Sequence, residues 1–127
     1  TYTLPQSGNK IPALPGDYGL LLYNVGGDIL QLIYDVPDIS QTEVIQEYVE
    51  LLLSFGFKID DEESSIPYED MMKIGGFDVS EDMIQRGVNF YLEKPSISGE
   101  NNIQIRILAP YPTESGKEGV LIAAILF

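Results

Sequence analysis

One stretch of this chain repeats its apolar residues at a helical period, while its other long apolar runs are built like strands. That contrast constrains the fold more than any single motif. Val44, Ile45, Tyr48, Val49, Leu52 and Phe55 recur three and four residues apart, with Gln46, Glu47 and Glu50 turned outward. Ser40-Gln41-Thr42-Glu43 has the form of a capping box, in which Ser40 accepts from the Glu43 amide while Glu43 reaches back. Gly56 stands where a helix stop wants a left-handed residue, and Phe57 follows it within reach of Leu52. The spacing predicts a helix over 41–55.

The strand-like runs lie on either side. Tyr18 to Val25 and Asp28 to Val36 flank Gly26-Gly27, a pair suited to a two-residue primed turn. That register puts Leu21, Tyr23, Leu30, Leu32 and Tyr34 on one face. The other face carries Leu20, Leu22, Ile29 and Ile33 with Asn24 and Gln31. Both faces are apolar enough to need cover. Val88, Phe90 and Leu92 alternate with polar neighbours, as do Ile103, Ile105 and Ile107, and Val120 to Phe127 is apolar on both sides, the mark of a central strand. The order fits an α+β fold: one mainly antiparallel sheet of five to six strands with one principal helix (41–55) on a face. Pro5, Gly8, Pro12, Pro15 and Gly16 make residues 1–17 read as a flexible lead-in to a single domain over 18–127.

Between helix and last strands lies an acidic stretch. Nine carboxylates fall between Asp60 and Asp82, against the single cation Lys73. Pro67 can open a short helix ended by Gly75-Gly76, and Ser80 can cap another ended by Gly87. The Asp60-Asp61-Glu62-Glu63 block lacks the alternation of a calcium loop, so a solvated loop is the plainer account and no metal is expected. As a weak binding candidate the block stands beside Tyr23 and Tyr34, which the hairpin register brings to one face as a contact patch. Strand preference alone also accounts for tyrosines there.

Absences exclude more. The chain has no His and no Cys, which removes Ser-His and Cys-His relays, disulfides and the usual zinc ligand sets. Glu93 and Glu100 are the nearest approach to a paired-carboxylate hydrolase, but there is no Trp to stack a sugar ring and little chain to build a cleft. Neither an enzyme nor a cofactor is expected. Twenty acidic residues against seven basic ones leave a net charge of −13, which speaks against nucleic acid and against an anionic membrane surface. The same charge fits a solvated surface, a partner with a basic patch, or bound cations. No segment has the length of a membrane span.

The lead-in Leu14-Pro15-Gly16, the hairpin, the helix with Tyr48-Val49 closing as Ser54-Phe55-Gly56-Phe57, and the alternating strands 88–92 and 103–107 together carry a resemblance over residues 14–109. The chain resembles the small uncharacterised domains found in mature lipoproteins of Gram-positive gut bacteria. That resemblance implies an extracytoplasmic, surface-anchored setting and a non-catalytic role, and it carries over no site. The expected function is an exported domain that binds a protein or a cell-envelope component. The alternative is an acidic inhibitor or immunity-type protein that neutralises a basic partner. A symmetric homodimer is expected if the hairpin faces and the apolar last strand are left uncovered.

Overall fold

A computed structural model describes all residues, 1–127. In chain order the elements are β1 (Tyr2–Thr3), β2 (Lys10–Ile11), β3 (Leu20–Gly26), β4 (Ile29–Tyr34), α1 (Asp38–Ser54), β5 (Lys58–Ile59), α2 (Asp61–Ser64), α3 (Tyr68–Ile74), α4 (Glu81–Arg86), β6 (Val88–Pro95), β7 (Asn102–Pro112) and β8 (Glu118–Leu126). The fold is α+β. Six strands form one antiparallel sheet in the order β3-β4-β8-β7-β6-β5, and β1 and β2 form a separate two-stranded ribbon. β8, the run apolar on both sides, lies between β4 and β7, where both of its faces are covered along most of its length.

α1 covers one face of the sheet. It buries Gln41, Val44, Ile45, Tyr48, Val49 and Leu52 against Leu32, Ile105, Ile107 and Ile122. The helix starts three residues before the expected boundary, with Pro37 at its N-cap. Ser40 therefore sits inside the first turn, and no side chain caps the end. The capping box does not form. Gln41 takes over at that end: its amide donates to the Val36 carbonyl at 2.9 Å and lies 3.4 Å from the Glu118 carbonyl, tying α1 to β8. The stop is as expected. The Phe57 amide donates to Leu52 at 3.0 Å and the Gly56 amide to Leu53 at 3.1 Å, with Gly56 at φ +96° and Phe57 buried.

Residues 1–17 are not a flexible lead-in. Leu4, Ile11 and Leu14 are buried in the same core as α1, and Tyr48 donates its hydroxyl to the Pro12 carbonyl at 2.7 Å. A turn in which the Leu4 and Asn9 backbones bond folds the segment back, and Asn9, itself buried, accepts from the Ile97 amide at 2.8 Å. The prolines and glycines bend the segment; its three isolated apolar residues attach it.

The opposite face is half covered. Tyr68 and Met72 of α3 pack on Ile33, Leu108 and Leu121, with Phe77, Val79 and Met83 around them. The expected short helices after Pro67 and Ser80 both exist, Ser80 accepting from the Met83 amide at 3.2 Å. Between β3 and β4 the turn is Gly27-Asp28, one residue later than expected, since Gly26 already pairs with Ile29. A register shift between Leu20 and Leu22 sends Leu21 to the α3 face instead of Tyr23's face.

Candidate functional site

The two edges of the sheet end differently. At the β6 edge, β5 pairs for only two residues and α2 then takes over. The Ser64 hydroxyl lies 2.9 Å from the Tyr91 amide and 3.2 Å from its carbonyl, standing in for a neighbouring strand. Asn89 donates to the carbonyls of Glu63 and Ile66. Arg106 fastens α2 from above, at 3.1 Å from the Glu63 carboxylate, 3.2 Å from the Glu63 carbonyl and 3.0 Å from Asn89, with its guanidinium 4.4 Å from the Tyr91 ring centre. Burial, with a smaller push from Glu93, raises the Tyr91 hydroxyl above its ordinary pKa despite Arg106. This edge is closed to a further strand.

At the other edge nothing pairs with the outer side of β3. Its seven residues, Leu20 to Gly26, include no charge and no proline, two of the devices that blunt an edge, and only the register shift at Leu21 interrupts the run. Leu20 and Leu22 are 41% exposed and Tyr23 is 55% exposed. The Tyr23 ring lies 6.0 Å from that of Tyr2. On the α3 face the strand borders a groove of about 710 Å³ lined by Leu21, Leu22, Ile33, Phe77, Pro112 and Glu114.

The same face continues as rows of half-buried side chains that run toward the α2 clamp. Register places Asn24, Gln31, Ala123, Arg106 and Tyr91 in one row across five strands. The spacing of strands makes that row about 19 Å long. The next row holds Gly26, Ile29, Ile125, Gln104 and Glu93, with Ile29 47% exposed. Asn24 donates to Gln31 at 3.2 Å and Gln104 to Glu93 at 3.1 Å, so the polar side chains are held in pairs.

The residues expected to bind are dispersed. Tyr23 is exposed on the edge strand, while Tyr34 is buried in the α1 core. The Tyr34 hydroxyl is 2.9 Å from that of Tyr2, and burial pushes its pKa well above the ordinary tyrosine value. The two do share a face, Tyr23 lying opposite Leu32, but the N-terminal segment covers the Tyr34 end. Asp60 to Glu63 do not form a solvated loop or a shared site. Asp60 caps α2, accepting from the Glu63 amide at 3.0 Å. Glu63 pairs with Arg106, and Asp61 and Glu62 face solvent in the first turn, where the helix dipole favours anions. No three carboxylates gather closely enough to hold a metal ion, and no helix is long and apolar enough to cross a membrane. The sequence reading missed the edge strand and the groove. The uncharged run Leu20 to Gly26 stands in the sequence, but only the strand order places it at a sheet margin.

Comparison with protein-family models, with curated proteins and with solved structures finds no match.

Proposed function

We propose that this chain is a non-enzymatic binding module that captures an extended segment of a partner protein along β3. The observation carrying this reading is the seven-residue uncharged edge, open on its outer side and bordered by an apolar groove. An added strand takes its affinity from main-chain hydrogen bonds and its selectivity from pockets for alternate side chains. The partner segment is apolar at alternate positions and basic at its flanks, matching the charge of −13 and Glu114 at the groove. A second copy fits less well, because like charge opposes two chains of −13 each. The reason for expecting a homodimer also weakens once β8 lies buried inside the sheet. The setting is extracytoplasmic, a reading that rests on the lipoprotein-domain resemblance and is checked by fractionating the source cells.

The test is capture from envelope fractions with cross-linking, comparing the native chain with Leu22→Lys and Tyr23→Lys. Both side chains are partly exposed, so each variant places a charge on the edge, and unchanged far-ultraviolet circular dichroism checks that each still folds. A partner that cross-links within residues 20–26 and is lost from both variants supports the reading. A partner held equally well by both variants refutes it.

A second reading has its own observation. Asp61, Glu62, Asp70, Asp78, Glu81 and Asp82 are all exposed on or beside α2, α3 and α4, so the helical layer presents an acidic surface to a basic partner. This is the inhibitor-type alternative. It predicts cross-links to residues 60–82 and capture that fades steeply as salt rises.

A further inference from the structure

The geometry of the β3–β4 hairpin fixes which main-chain groups β3 offers to a partner. Gly27 and Asp28 form a two-residue turn closed by the pair Gly26–Ile29. Of the two, Gly27 alone has a positive φ, +58°, which is the type II′ form with glycine at its first central position. The closing pair bonds across the hairpin, so by alternation Gly26, Asn24 and Leu22 direct their N–H and C=O groups toward β4. The far side of β4 agrees. The Leu126 amide donates to the Asp28 carbonyl at 3.0 Å, so Asp28, Leu30 and Leu32 face β8 while Ile29, Gln31 and Ile33 face β3. Tyr23 and Val25 therefore turn their main chain away from the sheet, and no loop backbone bonds to either. The side chains divide between the faces. Val25 packs on the α1 core and the Tyr23 ring lies 6.0 Å from that of Tyr2. On the α3 face Leu22 lines the groove and Asn24 donates to Gln31 at 3.2 Å.

We propose, resting on the capture of an extended segment along β3, that the edge selects an antiparallel segment by a fixed pattern of side chains. The residues opposite Tyr23 and Val25 exchange main-chain hydrogen bonds with them and supply the affinity. The residue opposite Leu22 carries a large apolar side chain into the groove beside Phe77 and Pro112. That position is a non-hydrogen-bonded pair of the added ladder, where facing side chains come closest. The residue opposite Asn24 is polar, and the residue opposite Tyr23 is aromatic or β-branched, packing on Tyr23 and Tyr2. Antiparallel pairing is the more stable choice per residue, and every pair in this sheet has it. The register shift at Leu21 bends the strand, so the added ladder ends at Leu22. Asp17 and Asp28 bound the strand in sequence and Glu114 lines the groove, and none of the three has a cation within 4.0 Å. Basic flanks on the segment complement them.

The probe is a synthetic peptide, Lys-Lys-Val-Thr-Tyr-Phe-Lys-Lys, whose Val, Thr, Tyr and Phe stand opposite Val25, Asn24, Tyr23 and Leu22. It is titrated into the isotopically labelled chain at about 0.15 M salt, where distant charges are screened. Amide shifts and hydrogen exchange read the result. In the free chain the Tyr23 and Val25 amides should exchange fast and those of Asn24 and Gly26 slowly; saturating peptide should slow the first pair. N-methylation of the peptide Tyr removes the donor to the Tyr23 carbonyl and should weaken binding at least about fivefold. N-methylation of the Thr, whose N–H points away from β3, loses no hydrogen bond and should weaken it less than about twofold. Replacing the peptide Phe by Ala should weaken binding about tenfold, and Glu114→Gln about twofold. Absence of saturable binding, equal loss from the two N-methylated peptides, or a Tyr23 amide as protected in the free chain as that of Asn24 overturns the pattern. An envelope partner cross-linked within residues 20–26 would then still uphold capture along β3, so the two fail separately. Saturable shifts confined to residues 60–82 count against both.

Discussion

Leu4→Ala measures whether residues 1–17 belong to the fold. Leu4 is fully buried in the α1 core, together with Ile11 and Leu14. The substitution removes three carbon groups at about 0.8 kcal/mol each and leaves a cavity besides, so the expected loss is about 3 kcal/mol. With a urea slope of about 2 kcal/mol per M, suitable for a chain of this size, the unfolding midpoint falls by about 1.5 M. Gln6→Ala, exposed in the same segment, should shift stability by less than about 0.5 kcal/mol. Ile11→Val offers a milder probe of the same site and should lose about 1 kcal/mol. Equilibrium urea unfolding followed by far-ultraviolet circular dichroism reads all three. If Leu4→Ala matched Gln6→Ala, the N-terminal segment would be a tether after all and the core would begin at β3.

Three further predictions follow from buried contacts. Tyr34, Tyr48 and Tyr68 all have hydroxyls raised in pKa chiefly by burial, Tyr68 to about 12. Folding therefore favours the neutral phenol. The stability it contributes is complete below the unfolded tyrosine pKa of about 10 and is lost as pH rises toward the folded value. Melting temperature should hold on the acid side of that window and fall within it, with a shallower fall in Tyr68→Phe; an unchanged slope in that variant would contradict the assignment. Gly87→Ala should cost about 3 kcal/mol by urea unfolding, since a Cβ there would overlap the Tyr68 ring, whose hydroxyl donates to the Pro110 carbonyl. Gly26→Ala, with nothing within 4 Å, should cost less than about 1 kcal/mol. Arg106→Gln should cost about 2 kcal/mol and speed hydrogen exchange across 60–65, because Glu63 and α2 lose their fastening to the sheet.

What could be read from the residues alone depended on periodicity and punctuation. α1 was legible because its stripe runs for more than three turns and its Gly56 stop leaves few alternatives. The two short helices were legible from Pro67, Gly75, Ser80 and Gly87. The hairpin turn was ambiguous because Gly26-Gly27 and Gly27-Asp28 both satisfy a two-residue loop, and the choice decides which residues pair. Leu4, Ile11 and Leu14 escaped notice because isolated apolar residues among prolines have no period, and only the closed core shows what they fill. Asp60 to Glu63 looked like a loop because a one-turn helix is too short to show an amphipathic pattern.

The contrast between the sheet edges ties these pieces to function. At the β6 edge the chain uses a serine hydroxyl, an asparagine amide and an arginine clamp to keep another strand away. Charges were plentiful for protecting β3 as well, since 27 of 127 residues are charged, 20 acidic plus 7 basic. Yet Leu20 to Gly26 has none, and the nearest acidic residues in sequence, Asp17 and Asp28, lie just outside it. Exposed apolar edges invite aggregation, and a high net charge counters that by mutual repulsion between copies. On the proposed reading, a charge of −13 and an uncharged edge act together: copies of the chain repel each other while the edge stays open to a partner of opposite sign. Neutralising part of the acidic helical layer, for example Asp61→Asn with Glu62→Gln and Asp82→Asn, leaves β3 untouched and should raise self-association at equal concentration. Light scattering at low salt reads this directly. A triple variant as monomeric as the native chain would show that the open edge is guarded by something other than charge.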